Sequence, residues 1–356
     1  MNYRVPFFYR ILQLRELLFI NYNAYYNRML RNFFLFIGAV LHLLFRGVLW
    51  HILRFRKGLK KSVAAIYEEC NEPFNKKYFR RIYTYGGLGC LLNEWFIVLR
   101  GYAPSPSEAK AAFYLGTATA VYDDLFDHYD YTSEDSLDKL AKGLYKDNSV
   151  TEKCSKLFYD IILANIKNPV PFNEYLQRVG FHQEESKQQT NTQLSESELR
   201  RITYAKGACS IMLFRSVLSH ELRPGEAAAF TLLGALIQLT DDVFDIRQDL
   251  IHHVATLPNL TSDIRIVRRE YEQLLNQTLK AIQQLDYPPK YIRRFLMQIM
   301  MYISRGLVCF DQLERVQKKH GGPFQPSTYS RPELVCDMER PINLLRSIRY
   351  AICWEI

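Results

Sequence analysis

The pentapeptide Asp123-Asp124-Leu125-Phe126-Asp127 is repeated, with Val in place of Leu, as Asp241-Asp242-Val243-Phe244-Asp245. Each copy follows an apolar stretch without strand-like alternation, which predicts a helix. Residues four apart lie on the same face of an α-helix, one turn from each other. The first and last Asp of each copy therefore form a carboxylate pair on one face, and Asp249 extends the second pair by another turn.

Carboxylates stacked on one helix face need a compensating cation. They repel each other, and Asp costs on the order of 0.5 kcal/mol relative to Ala in a helix. Carboxylate oxygens are the hard ligands that Mg²⁺ prefers. One acidic helix end is usually a solvated terminus. Two copies with the same spacing, each behind a small residue (Gly116 and Gly234), instead favour a metal site between two facing helices.

The composition predicts an all-α protein with reduced thiols. The chain has 356 residues, of which 48% are hydrophobic and 14% aromatic, so it can bury a sizeable core. Strand-like alternation is scarce, and long helical periods dominate. The seven Cys are scattered without a CxxC pair, which is typical of a cytoplasmic protein rather than of a disulfide framework or a zinc site.

Helical periodicity and capping signals predict a series of helices along the body of the chain. The predicted helices cover residues 88–100, 107–129, 135–145, 150–166, 172–190, 196–219, 225–247, 263–285, 288–318 and 338–355. Ser195 and Glu198 have the spacing of a capping box at the start of one of them. The glycine-rich stretch 86–89 does not match a phosphate-binding loop, so we interpret it as a turn. No internal repeat is evident beyond the Asp motif.

The first 61 residues form a basic and apolar arm. They contain eleven Lys and Arg but one acid, a net charge of +10 against +9 for the whole chain. The apolar run 33–45 is shorter than the about 20 residues needed to cross a bilayer. The arm suits either a helix in the interface of an anionic membrane or an amphipathic helix packed on the body. It is too rich in Phe and Leu to indicate a nucleic-acid partner.

Two segments carry a family resemblance. Leu233-Gly234-Ala235-Leu236-Ile237-Gln238-Leu239-Thr240-Asp241-Asp242-Val243-Phe244-Asp245 resembles the trans-prenyltransferase pattern, in which Leu-Gly and a Gln precede the Asp motif. Upstream, Lys206-Gly207-Ala208 is similar to the diphosphate-binding Lys segment of that family, with Gly in place of Thr. Residues 80–320 together resemble the class I isoprenoid (terpenoid) synthase superfamily. Near the end of the chain, Arg349-Tyr350 looks like the Arg-Tyr pair of terpene cyclases.

The resemblance implies a fold, a cofactor and a substrate. The fold would be a class I terpenoid-synthase-like helical bundle around a central cavity, with the two Asp motifs on facing helices at its mouth. The chain would divide into the arm, 1–61, and a catalytic domain, 62–356. A prenyl diphosphate would be the substrate, and about three Mg²⁺ ions would neutralise its diphosphate as the C–O bond breaks.

The resemblance also implies the roles of individual residues. Asp123, Asp241 and Lys206 would be catalytic, because they would stabilise the leaving diphosphate. The residues implied in binding diphosphate oxygens are Lys206, Arg200, Arg201 and Gln238. The implied metal ligands are Asp123, Asp124, Asp127, Asp241, Asp242, Asp245 and Asp249. Aromatic faces could stabilise a carbocation by roughly 0.5–2 kcal/mol each, with Phe113, Tyr114, Tyr122, Phe126, Phe214 and Phe244 as candidates.

Three functions stay open at the level of the sequence. The first is a terpene synthase that ionises an allylic prenyl diphosphate and then cyclises it or eliminates a proton. The second is a prenyl transferase, of the head-to-head (squalene or phytoene) type or chain-elongating. Elongation is disfavoured, because no Gly-Lys-x-Arg segment precedes the first motif and no paired Arg follows it. The third is a non-catalytic, membrane-bound helical protein that binds cations. The expected location is cytoplasmic, peripheral on a membrane if the arm binds one, and a homodimer is left open.

Overall fold

The computed structural model describes residues 26–128, 142–144, 146–190 and 194–354, and over these residues the protein is all-helical. Within these ranges, the side chains of residues 46–48, 50–52, 127 and 128 are not described. The predicted helix 135–145 therefore lies largely outside the described residues, as does the carboxylate of Asp127. The expectation of an all-α fold is confirmed for the described part of the chain.

The helices run as follows. In the arm, α1 covers residues 26–42 and continues through a π-helical stretch, Leu43–Trp50, into α2, His51–Glu69. The body contains α3 (Lys76–Arg100), α4 (Pro106–His128), α5 (Val150–Leu163), α6 (Pro169–Ser186), α7 (Glu196–Ser216), α8 (Glu226–Phe244), α9 (Ile246–Ile251), α10 (Leu257–Leu260), α11 (Ile264–Gln283), α12 (Pro289–His320), α13 (Arg331–Leu334) and α14 (Pro341–Cys353). Residue 61, the predicted domain boundary, falls inside α2.

Most of the predicted helices agree with the structure to within a few residues. The capping box is confirmed, because Ser195 Oγ accepts a hydrogen bond from the Glu198 amide and the Glu198 carboxylate accepts one from the Ser195 amide. The prediction of a turn at residues 86–89 is wrong. These residues lie inside α3, which begins much earlier, after the N-cap residue Asn75.

The glycines of α3 are required by close helix packing rather than by a turn. A Cβ atom added to Gly89 would lie 2.6 Å from the carbonyl oxygen of Ala112 and 2.7 Å from the Cα atom of Gly116. The helix propensity lost at Gly, about 1 kcal/mol relative to Ala, is offset by the contact that the missing side chain permits. The backbones of α3 and α4 touch at this point.

The α3–α4 pair has an equivalent in the α7–α8 pair. In each hairpin the two helices touch through glycines, an Arg at the end of the first helix binds a Glu in the first turn of the second, and the Asp motif ends the second helix. The equivalent residues are Gly89 and Gly207, Arg100 and Arg215, Glu108 and Glu226, Gly116 and Gly234, and Asp123 and Asp241. The repeat thus extends beyond the Asp motif. It was not evident in the sequence because most positions between these residues differ.

The two hairpins pack against each other. Between them, α3 contacts α7, while α4 packs against α5 and α6 on one side and α8 packs against α11 and α12 on the other. The long helix α12 lies against both α3 and α8, and α14 packs on α12. Because both Asp motifs occur at the C-terminal ends of their helices, both meet the negative end of a helix dipole. This placement increases the need for a cation.

We expect Gly234→Ala to destabilise the protein by about 2–3 kcal/mol, because the new Cβ meets backbone that cannot move aside. It would lie 2.6 Å from the carbonyl carbon of Gly207 and 2.7 Å from the Cα atom of Ala208. Urea denaturation measures the change. Gly58→Ala in α2 is the matched control, since nothing lies within 4 Å of its added Cβ. The control should be stabilised by about 0.5–1 kcal/mol, and equal effects of the two changes would contradict the packing argument.

Candidate functional site

The second Asp motif borders a polar cleft of about 480 Å³, counting the part open to solvent. Four carboxylates of α8 and α9 share this cleft with Lys206 of α7 and with Gln238. The lining residues are Gln189, Thr203, Lys206, Gln238, Asp241, Asp242, Asp245, Asp249, Val254 and Thr256. The helix is interrupted at Asp245, but the Asp249 amide still donates to the Asp245 carbonyl at 2.9 Å. The stripe of carboxylates predicted from the sequence therefore continues across the break.

Asp242 differs from the other three carboxylates because the protein itself holds it. Its side chain is buried and accepts hydrogen bonds from Thr203 Oγ1 and from Gln238 Nε2, both at 3.1 Å. Asp241 and Asp245 reach the solvent-filled mouth of the cleft. The structure thus separates one anchored carboxylate, Asp242, from carboxylates that face the cleft.

The carboxylates of the cleft are difficult to ionise together. Burial in the cleft, followed by the charges of Asp245 and Asp242, raises the pKa of Asp241 to about 7. Asp241 is exposed at the mouth of the cleft, but the surrounding walls still reduce its hydration. Burial and then its acidic neighbours raise the pKa of Asp249 to about 8. Among the described residues that line the cleft, Lys206 is the one cation, so four carboxylates face a single positive charge.

The metal-free protein should lose stability as the pH rises from about 4 to about 9. The folded state binds protons at Asp241 and Asp249 more tightly than the unfolded state does, because their pKa values are raised from about 3.9. Stability then falls with increasing pH until both groups are ionised. Thermal denaturation in EDTA measures the slope. Asp249→Asn should flatten it, and Mg²⁺ should restore stability most at pH 9; identical slopes in wild type and variant would contradict the assignment.

The first Asp motif repeats this division of roles. Asp124 is buried, and Arg81 of α3 donates to both of its oxygens at 2.7 and 2.9 Å and to the Ala120 carbonyl at 3.0 Å. Lys187 donates to the carbonyl of Phe126 at 2.9 Å, at the C-terminal end of α4. Asp124 is thus anchored to a neighbouring helix, as Asp242 is, whereas Asp123 is half-buried and lines a cavity.

Tyr85 of α3 links the two Asp motifs. Burial raises the pKa of its hydroxyl, the charge of Asp123 raises it further, Arg81 lowers it, and Asp241 and Asp245 raise it again. The carboxylates of both motifs therefore contribute to the pKa of one hydroxyl. Tyr85 therefore lies within electrostatic reach of Asp123, Asp241 and Asp245.

An apolar cavity begins at Asp123. Its volume is about 630 Å³ when the part open to solvent is counted, and it runs along α4 from Asp123 to Leu115, about 12 Å at 1.5 Å per residue. Its walls come from four helices and consist of Leu115, Ala118, Thr119, Tyr122, Asp123, Ser155, Tyr159, Ile162, Phe172, Leu176, Val179, Ser210, Leu213 and Phe214. Of the candidate aromatic residues, Tyr122 and Phe214 line the cavity, while Phe113 and Phe126 are fully buried in the core.

Two predicted diphosphate ligands are not among the residues that line the cleft. Arg200 donates to both oxygens of Glu270, at 2.5 and 2.9 Å, and Arg201 forms an ion pair with Glu185 at 2.7 Å. Both side chains leave α7 on faces different from that of Lys206. The Tyr of the Arg-Tyr pair, Tyr350, is bound by Arg268 and donates to Asp311, so it serves a structural network.

Several residues of the site were missed from the sequence. Arg81, Tyr85, Gln189 and Thr256 carry no motif, and their positions depend on how helices pack. One signal was available for Thr256, because Thr256 and Asn259 form a capping box at the start of α10. This turn places Thr256 in the wall of the cleft.

The cleft fits a metal that arrives with an anionic ligand. Within the described ranges, no group of three or more His, Cys, Asp or Glu side chains is already arranged to hold a metal ion. Mg²⁺ usually binds through one or two carboxylates plus substrate phosphates rather than in an all-protein cage. The cleft suits this mode of Mg²⁺ binding, because its carboxylates have raised pKa values and its described lining contains a single cation, Lys206. No protein-family model matches the chain, and no curated protein matches its sequence.

Proposed function

We propose that the protein is a Mg²⁺-dependent isoprenoid synthase that ionises an allylic prenyl diphosphate and then cyclises the carbocation or eliminates a proton from it. One observation carries the proposal. Asp123 lines the apolar cavity and acts on the same Tyr85 hydroxyl as Asp241 and Asp245 of the polar cleft. An apolar cavity and a carboxylate cluster that act on one hydroxyl support a substrate with an apolar chain and an anionic head.

The residues of the chain divide the chemistry between them. Bound Mg²⁺ would supply the positive charge that stabilises the leaving diphosphate. Asp123, Asp241, Asp245 and Asp249 are the residues that would hold it. Lys206, which lines the cleft, would donate a charge-assisted hydrogen bond to a diphosphate oxygen.

Other residues position the site and protect the carbocation. Arg81 fixes Asp124, while Thr203 and Gln238 fix Asp242, so that both motif helices keep their orientation. The apolar walls exclude water from the cation. The rings of Tyr122 and Phe214 could each stabilise it by roughly 0.5–2 kcal/mol without reacting as nucleophiles.

Chain elongation is the weaker alternative because it needs a second diphosphate site. Arg81 and Lys187 lie beside the first motif, but Asp124 engages the first and the Phe126 carbonyl engages the second. Both side chains are therefore bound to groups of the protein itself, which weakens the case for a second diphosphate site beside the first motif. Tyr204, two residues before Lys206, donates to Glu270 and is not among the residues that line the cleft.

The decisive experiment incubates the purified protein with prenyl diphosphates of increasing length, from geranyl to geranylgeranyl, in Mg²⁺ or in EDTA. Diphosphate release is measured by a coupled assay, and the products are identified by mass spectrometry. Mg²⁺-dependent release from a single substrate, with a hydrocarbon or alcohol product, supports the proposal. Release that requires added isopentenyl diphosphate indicates elongation, and a dimeric product indicates head-to-head condensation. No release from any substrate would favour a non-catalytic cation-binding protein.

A further inference from the structure

Helix α1 and the stretch that follows it expose a continuous apolar face. Large apolar side chains recur every three or four residues, which places them on one side of the helix. They are Tyr26, Leu30, Phe33, Phe34, Ile37, Leu41, Leu44 and Phe45, and Leu49 and Leu53 extend the series. Phe34 and Phe45 are 66% and 65% exposed. Isolated exposed apolar residues are ordinary, but a contiguous face of this length marks an interaction surface.

The opposite face of α1 is already used by the body of the protein. Asn32 is fully buried and donates to the carbonyls of Ile352 and Trp354 at 3.0 and 3.3 Å. Phe36 and Ala39 are buried in the core, and His42 bonds to Glu94 at 2.9 Å. The alternative that the arm covers its apolar residues by packing on the body thus holds for one face only.

The charges around the exposed face have one sign. Between Glu16 and Glu68 the chain contains eight Lys and Arg and no acidic residue. Directly after the apolar face, α2 carries an exposed cluster of five cations, namely Arg54, Arg56, Lys57, Lys60 and Lys61. A basic cluster next to an apolar face is complementary to a membrane surface that contains anionic lipids.

We propose that the face formed by these apolar residues lies in the plane of an anionic membrane, inserted to the depth of the headgroups, and that the basic cluster binds the lipid headgroups. Two helices of the described residues, Tyr26–Phe45 and Glu226–Phe244, are long and apolar enough to span a bilayer. The second is α8 of the core. The first cannot be surrounded by lipid while its Asn32 face remains packed on the body. An interfacial helix satisfies both faces at once.

Flotation with lipid vesicles tests the proposal on the full-length protein. Vesicles of pure phosphatidylcholine are compared with vesicles made of equal parts phosphatidylcholine and phosphatidylglycerol. Wild type should bind the anionic vesicles more tightly. The triple variant Leu30→Ser, Phe34→Ser, Leu41→Ser should lose about tenfold or more of its binding. The matched control, Leu344→Ser with Leu345→Ser, changes two exposed apolar residues of α14 and should bind as wild type does.

A second variant isolates the electrostatic part. Arg54→Gln with Lys57→Gln and Lys60→Gln should weaken binding to anionic vesicles by about fivefold per charge at low salt, and should leave binding to pure phosphatidylcholine unchanged. Equal binding of this variant and wild type to both vesicles would overturn the role of the basic cluster.

Three outcomes would overturn the assignment of α1 to the membrane interface, and none of them depends on the proposed chemistry. Wild type that resists alkaline carbonate extraction would be a spanning protein. Failure to bind any vesicle, with a dimer that the triple variant dissolves, would make a second copy the occupant of the face. A monomeric protein that binds no vesicle would indicate that the chain's own first 25 residues cover the apolar face. Diphosphate release from a short substrate, assayed without vesicles, should be the same in wild type and the triple variant.

Discussion

Replacing Asp241 by Asn should reduce the rate of diphosphate release by about 10³-fold or more, because a carboxylate that holds positive charge against the leaving group is lost. Asp123→Asn should act similarly, since its side chain is the one carboxylate among the described residues that line the apolar cavity. Neither change removes packing. The metal-free Asp241→Asn protein should be as stable as wild type or more so, because burial and neighbouring acids raise the pKa of Asp241 to about 7. Release rate, Mg²⁺ titration and melting temperature together measure the effect.

Two controls make this prediction specific. Asp160→Asn removes an exposed carboxylate of α5 that pairs with Lys156, and it should leave both rate and stability nearly unchanged. Asp242→Asn removes the anchored carboxylate, so it should alter the rate by disturbing the contacts with Thr203 and Gln238. A rate close to that of wild type in both Asp123→Asn and Asp241→Asn would refute the assignment of the site.

Glu108→Gln should cost about 3–5 kcal/mol of stability, because it leaves a buried Arg without its counter-charge. Arg100 donates to the two oxygens of Glu108 at 2.8 and 2.9 Å, and Ser219 and Ser105 donate from their backbone amides at 2.8 Å. The carboxylate therefore joins the end of α3, the start of α4 and the segment after α7. Urea denaturation of wild type and variant at pH 7 measures the loss.

The pH dependence of that loss gives an independent check. Burial alone would raise the pKa of Glu108, but the hydrogen bonds from Arg100, Ser219 and Ser105 outweigh it and hold the pKa well below its ordinary value. The stabilisation is therefore complete above the ordinary pKa of about 4.3 and disappears as the pH falls below it. The difference between wild type and variant should narrow from pH 6 to pH 3. Glu333→Gln, at a surface carboxylate with several partners, should cause a much smaller loss.

The helices could be predicted well because each signal is local. Periodicity, N-cap residues and Pro positions act within a few residues, and they located α4, α7 and α8 closely. The glycines at 86–89 were misassigned because their reason is not local. Gly usually interrupts a helix, but here Gly89 must face Gly116, and that pairing exists only after α3 and α4 have packed.

The candidate site shows the same limit. The spacing of Asp241, Asp245 and Asp249 was sufficient to place them on one side of a helix, and all three line the cleft. Spacing could not separate Lys206, which lines the cleft, from Arg200, which binds Glu270 on another helix. The direction of a side chain around α7 depends on its neighbours. Tyr85 was missed for the same reason, since it reaches the motifs only through the crossing of α3.

Helix α3 connects the candidate site to the arm. Its early turns carry Arg81 and Tyr85 beside the carboxylates, and its last turns, near Ile97 and Gly101, line the groove under α1. These ends are about 24 Å apart at 1.5 Å per residue. The arm returns along α3, however, because the Arg56 guanidinium of α2 lies 5.6 Å from the centroid of the Tyr83 ring. The proposed membrane surface therefore runs from the last turns of α3 to the turns that carry Arg81 and Tyr85. If both proposals hold, one helix supports the lipid contact and the carboxylates together, so that a substrate dissolved in the bilayer would reach the site without crossing the body of the protein.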